Sequence, residues 1–140
     1  MGYRSCAAIL MYGEKQDCEM VMNLFLCSGE IAQEDKDFFE RNKQESNAGS
    51  QHFVFWSFDN VKWYDQADTA KNKLFNFVTQ IEDVKDIGDP ADRNSLAIEF
   101  VRFGEDDNDN EREATERSDF LLEITRSIRH PDFFKWCPSP

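Results

Sequence analysis

The sequence predicts an α+β fold, a two-layer sandwich with two or three helices packed on one face of a mainly antiparallel sheet of four or five strands. Residues 5–12 form a continuous apolar run that Gly13 ends, which is typical of a central strand buried on both faces. From Asp68 onward apolar residues recur at helical spacing. Strand and helix patterns alternate along only 140 residues, so we expect one domain, 1–140, with an irregular tail from about 130.

Five segments in the first half have local patterns. Residues 14–28 carry apolar side chains at helical spacing and end before Gly29, and a second, narrower helical stripe covers about 31–45. Residues 47–50 have the composition of a loop, and 52–58 read as a strand with aromatic residues on both faces. We expect a turn at Asp59 and Asn60, after which 61–64 pairs back as a short strand.

In the second half, Asp68 is the expected N-cap of the clearest helix, which ends near Gly88. Leu96 to Phe103 is predicted as a strand, residues 104–119 as a polar, acidic loop, and Phe120 to Ile128 as an edge strand with one apolar face.

Acidic residues dominate the charge. There are 16 Lys and Arg against 28 Asp and Glu, which gives a net charge of −12, and each half of the chain contributes −6. Such a surface repels nucleic-acid phosphates and anionic membranes. We therefore expect no direct nucleic-acid partner and no membrane partner, and the favoured partner is a protein with a basic surface.

The four cysteines show no metal-binding spacing. Cys18 and Cys27 fall within a helical pattern and are predicted to be small buried hydrophobes, with Cys6 and Cys137 elsewhere. The start lacks a signal-peptide pattern and no apolar stretch is long enough to span a membrane. These features predict a reduced protein in the cytoplasm, without disulfides.

Chemistry-bearing motifs are scarce. A zinc site would need Cys6, Cys137, His52 and His130 to converge, which their spacing does not favour. Asp107, Asp109 and Glu111 alternate like the first ligands of an EF-hand, but Arg112 stands where that loop needs glycine and Ser118 where it needs glutamate. We expect neither a metal nor a cofactor, and no catalytic residues.

Aromatic residues beside charges are the more informative feature, because such pairs are common in interface hot spots. Lys62, Trp63 and Tyr64 stand next to the predicted turn, and Phe134 and Trp136 lie in the C-terminal tail. We take these five residues as candidate partner contacts. Docking of the tail onto the body of the protein is an equally good explanation for Phe134 and Trp136.

Three short motifs resemble a group of small proteins encoded by tailed bacteriophages. They are residues 1–5 (MGYRS) before the first strand, residues 61–64 (VKWY), and residues 104–106 (GED) after a strand. The charged segment at about 30–50 and the proline-rich tail depart from that group. The resemblance implies no catalytic residues. It implies a non-enzymatic protein that binds and disables a host protein, such as a restriction enzyme, a CRISPR effector, a nuclease or RNA polymerase.

The leading hypothesis is therefore an inhibitor whose acidic contact is formed by Glu105, Asp106, Asp107, Asp109 and Glu111. Arg112 and Arg117 lie in the same predicted loop and Lys and Arg interrupt the acidic residues along the whole chain, so general host-protein binding is favoured over mimicry of DNA.

Two alternatives stay open. Arg4, Lys62, Trp63 and Glu105 all lie at predicted strand ends, so they would converge at one end of the sheet as the site of a small enzyme or ligand-binding domain. A structural or assembly protein that acts as an oligomer is the other, and a large exposed apolar patch would favour it.

Overall fold

A computed structural model describes residues 5–49, 51–61, 63, 65–85, 96–104, 110–115, 118, 121–124 and 128–129. The elements in chain order are β1 (Ser5–Gly13), α1 (Lys15–Cys27), α2 (Gln33–Arg41), β2 (Lys43–Ala48), β3 (Gln51–Val61), α3 (Asp65–Lys85), β4 (Ala97–Gly104), β5 (Asn110–Ala114), β6 (Glu123–Ile124) and β7 (Ile128–Arg129). Strands β1 to β5 form one sheet, and β6 and β7 pair separately.

The main sheet is antiparallel, with the order β2-β3-β1-β4-β5, so β1 is the central strand. β1 pairs with β3 on one side, where Ile9 lies opposite Trp56. It pairs with β4 on the other side, where Ile9 lies opposite Phe100. β1 is almost entirely buried, as its unbroken apolar sequence predicts.

Gly13 ends β1 where the backbone needs glycine. Its φ is +154°, and a Cβ built on it would lie 2.9 Å from the Cα of Leu96. Any side chain would therefore push away the residue that precedes β4.

The helices cover one face of the sheet, here called the helical face. Phe25 on α1 and Phe39 on α2 lie with their ring centroids 5.3 Å apart, and Phe39 also contacts Trp56 and Phe58 from β3. α3 adds apolar side chains to the same core, including Leu74 and Val78. The sheet and the three helices thus share a single apolar layer.

The opposite face of the sheet is also buried, and residues near the C-terminus take part in covering it. Its apolar cluster includes Leu10, Phe55, Val101 and Leu122. β6 contacts β4, and β7 contacts β1. The hairpin of β6 and β7 therefore meets the sheet on the second face.

A buried carboxylate joins these residues near the C-terminus to the sheet. Glu99 on β4 is 2% exposed. Its Oε2 accepts from the hydroxyl of Tyr12 at 2.7 Å and from the backbone N–H of Leu121 at 3.0 Å, and its Oε1 accepts from the N–H of Leu122 at 3.0 Å. Arg112 on β5 donates to the carbonyl oxygen of Leu122. Two side chains thus bind the backbone of two consecutive residues, which leaves fewer buried polar groups without partners.

The structure confirms the predicted α+β class and the antiparallel sheet with helices on one face. The apolar segments are found close to their predicted positions. β1 matches 5–12, α1 matches 14–28, and β4 matches 96–103. α3 begins at Asp65, so Asp68 lies inside the helix, and its assignment as the N-cap is wrong.

Two predictions around the second and third strands are wrong. The expected helix over 31–45 ends at Arg41, because Lys43–Ala48 forms the edge strand β2. The turn expected at Asp59 and Asn60 is absent, since β3 continues to Val61 and pairs there with Ser5. The last residue of β3, Val61, pairs with the central strand β1, so it does not turn back to pair with β3 itself.

Two later segments also differ. The region 104–119 is not loop throughout, because residues 110–114 form the edge strand β5 against β4. The single strand expected over 120–128 is replaced by two short strands that pair with each other.

Cys18 is buried as predicted, whereas Cys27 is exposed and its predicted burial is wrong. Cys18 and Cys27 are free thiols. Within the described ranges, no helix is both long enough and apolar enough to cross a membrane.

The bonds of Glu99 give a testable consequence for stability. We expect Glu99→Gln to lower the free energy of unfolding by about 2 kcal/mol, because an amide nitrogen would face a donor that now meets a carboxylate oxygen. Tyr12→Phe should cost less, about 1 kcal/mol, since the two backbone bonds stay. Urea denaturation measures both.

Glu34→Gln on the exposed surface of α2 is the matched control and should change stability by less than about 0.5 kcal/mol. If Glu99→Gln and Glu34→Gln changed the free energy of unfolding equally, the Glu99 carboxylate would not be what holds Leu121 and Leu122 to the sheet.

Candidate functional site

Several chain segments that carry polar residues meet at one end of the sheet. Ser5 begins β1 and pairs with Val61, the last residue of β3, on one side and with Gly104, the last residue of β4, on the other. Neighbouring strands lie about 4.8 Å apart, so β3 and β4 end about 10 Å from each other. Both strands therefore end at the same edge of the sheet.

Lys71 on α3 is a buried cation on the helical face, beside Phe100 in the middle of β4. Its side chain is 1% exposed, and its Nζ lies 4.7 Å from the centroid of the Phe100 ring. The ammonium donates to Oε1 of Glu113 on β5 at 2.9 Å and lies 3.5 Å from Oδ1 of Asp68. Burying a cation is unfavourable unless a partner charge is close, and these two carboxylates provide that partner.

Arg102 on β4 is the second buried cation, and it lies on the same helical face. One terminal nitrogen donates to Oγ of Ser5 at 2.9 Å, and the other donates to Oε1 of Glu111 on β5 at 2.5 Å. Glu111 and Glu113 are two residues apart on a strand, so their side chains project to the same face. Each is paired with a cation that comes from the interior.

The Trp63 ring packs against two aromatic residues of the sheet. Its ring stacks on Phe100 with the centroids 5.5 Å apart and tilts against Phe58 at 5.3 Å. Its indole N–H donates to Oδ1 of Asp68 at 3.3 Å. Half-buried between the sheet and the start of α3, Trp63 links the core to the charged residues.

We call Ser5, Trp63, Asp68, Lys71, Arg102, Glu111 and Glu113 the sheet-end cluster. The three carboxylates are 43–46% exposed, whereas the two cations are buried. Internal cations therefore fix the position of acids that still face the solvent. Carboxylates held in this way lose little conformational entropy on meeting a partner, which suits recognition by charge-assisted hydrogen bonds.

The structure describes only some of the predicted contact residues. Glu111 lies on β5, paired with Arg102, and Trp63 is a packed member of the cluster rather than a free surface ring. The other predicted contacts lie outside the described residues: Glu105, Asp106, Asp107, Asp109, Lys62, Tyr64, Phe134 and Trp136. Val61 and Gly104, the strand residues before two of these segments, pair with Ser5 on its two sides.

The sequence interpretation missed Lys71, Arg102 and Glu113. One signal was available, because Lys71 and Arg102 each interrupt an apolar pattern. Lys71 stands between Ala70 and Leu74 on the apolar side of α3, and Arg102 lies within the apolar strand β4. A charged residue in a buried pattern needs a partner, although the sequence does not show which one.

Cys18 and His52 are neighbours but do not form a Cys–His nucleophile pair. The thiol of Cys18 contacts the backbone carbonyl oxygen of His52 at 3.9 Å, not the ring. The ring Nδ1 lies 2.7 Å from Oδ1 of Asn47, and Nε2 lies 3.5 Å from Oε1 of Glu45. Burial, followed by the charge of neighbouring Asp17, raises the pKa of Cys18 to about 12. The thiol stays protonated at neutral pH and is a poor nucleophile.

Among the residues that the structure describes, no three His, Cys, Asp or Glu side chains lie together so as to hold a metal ion. Cys6 and Gly13 are seven residues apart on β1, so they lie on opposite faces of the sheet. His52 pairs with Gly13 and therefore lies on the face opposite to Cys6. His130 and Cys137 lie outside the described residues, as do Asp107 and Asp109 of the calcium-like pattern.

Comparison with models of protein families finds no match to this chain, and comparison with curated protein sequences finds none either. Any proposal about function therefore depends on the geometry and charge of the chain itself.

The ion pair of Lys71 can be tested with a double-mutant comparison. We expect Glu113→Gln to destabilise the protein by about 1–2 kcal/mol, because it leaves a buried ammonium with only the more distant Asp68. This is below the cost for a fully buried pair, since the side chain of Glu113 is 46% exposed.

Adding Lys71→Met to Glu113→Gln should recover most of that loss, because an apolar chain of similar length then fills the same space. Chemical denaturation of the single and double variants measures the difference. A double variant no more stable than Glu113→Gln would mean that burial of Lys71 does not depend on the carboxylate.

The cysteines provide a further check. We expect iodoacetamide to modify Cys27 in the native protein and to leave Cys18 unmodified, because the Cys18 thiol is buried and its raised pKa keeps it protonated. Peptide mass spectrometry measures both sites, and urea-unfolded protein, in which both should react, is the control. Native modification of Cys18 at the rate of Cys27 would contradict the assigned burial.

Proposed function

We propose that this chain is a non-enzymatic binding protein that inhibits a host nucleic-acid-handling or antiviral defence protein of the anti-CRISPR or anti-restriction type. Its contact surface is the acidic end of the sheet. The observation that carries the proposal is the pair of buried cations, Lys71 and Arg102, which fix Glu113 and Glu111 on an edge strand. The resemblance to small phage proteins supports the choice of a host target.

The charge at this end remains negative after the internal pairs are counted. The sheet-end cluster contributes Asp68, Glu111 and Glu113, and the segment that joins β4 to β5 adds Glu105, Asp106, Asp107 and Asp109. Three carboxylates against Lys71 and Arg102 give −1 for the cluster, residues 105–109 add four acids, and Arg4 and Lys62, which adjoin Ser5 and Val61 in sequence, add two positive charges, so these segments together carry −3. A partner with a basic surface would approach such an end faster than a neutral one, especially at low salt.

Arg112 does not interrupt the acidic contact in the folded protein as it does in the sequence. Arg112 interrupts the acids along the chain, but its side chain donates to the carbonyl of Leu122 on the opposite face of the sheet. Glu111 and Glu113 therefore share a face from which Arg112 is excluded. Recognition of a basic protein surface still ranks above mimicry of DNA, because Arg117 remains close to these acids in sequence.

A ligand-binding site or small enzyme at the same end is the second candidate. The observation that favours it is the register, since Val61 and Gly104 both pair with Ser5. Lys62, Glu105 and Arg4 follow or precede these residues directly. In this alternative, these charged residues of both signs bind a small polar ligand.

The first experiment is an affinity pull-down from bacterial lysate at low and at high salt, with mass spectrometry of the retained proteins. We expect one nucleic-acid-handling or defence protein at low salt, less of it at high salt, and inhibition of its activity by the purified chain. If no specific protein is retained at either salt, the inhibitor proposal fails and the ligand-binding alternative takes its place.

Two matched variants localise the contact. Asp106→Asn with Asp107→Asn removes two charges from the segment between β4 and β5, and Glu82→Gln with Asp83→Asn removes two from the last turns of α3. Both change the net charge from −12 to −10. Only the first pair should release the retained protein. Equal release by both pairs would show that total charge, not the sheet end, is responsible.

A further inference from the structure

We draw no further inference here: the strongest candidate, the flank of helix α1 that carries the exposed side chains of Met20 and Leu24, carries no proposal because nothing in the described part of the structure shows what covers it.

Discussion

The burial of β1 on both faces is the constraint on which the other elements depend. A strand whose side chains are apolar on both faces cannot leave either face to water, because each exposed apolar residue would forgo its burial energy. α1 to α3 cover one face, and residues near Leu122 take part in covering the other. Glu99 joins this second cover to the sheet, since its carboxylate binds both Tyr12 of β1 and the backbone of Leu121 and Leu122.

What could be predicted from the sequence follows from the same constraint. Buried elements show apolar periodicity in the sequence. The bounds of β1, α1 and β4 could therefore be predicted closely, and so could the α+β fold class. The two edge strands carry no such signal. β2 (Lys43–Ala48) and β5 (Asn110–Ala114) are polar along their length. Charged side chains on an edge strand protect it from pairing with other chains, and they also make it look like a loop.

The site was predictable to a lesser extent, because its partners are far apart in sequence. Lys71 and Glu113 are 42 residues apart, and Arg102 and Ser5 are 97 apart. Local spacing cannot reveal such pairs. Local spacing indicates only which residues stand at strand ends, whereas the pairing of Ser5 with both Val61 and Gly104 follows from the register of the sheet.

The acidic residues of this chain fall into two physical classes, and the difference affects how each can act. Glu111 and Glu113 are held by buried cations, so their geometry is fixed while much of their charge is neutralised locally. Glu19 and Glu34 have no such partner within the described residues, so their field extends further into solvent. Fixed carboxylates favour short-range, directional hydrogen bonds, whereas uncompensated ones accelerate encounter with a basic partner. A basic partner that meets the sheet end would then be steered there by uncompensated acids and held there by Glu111 and Glu113.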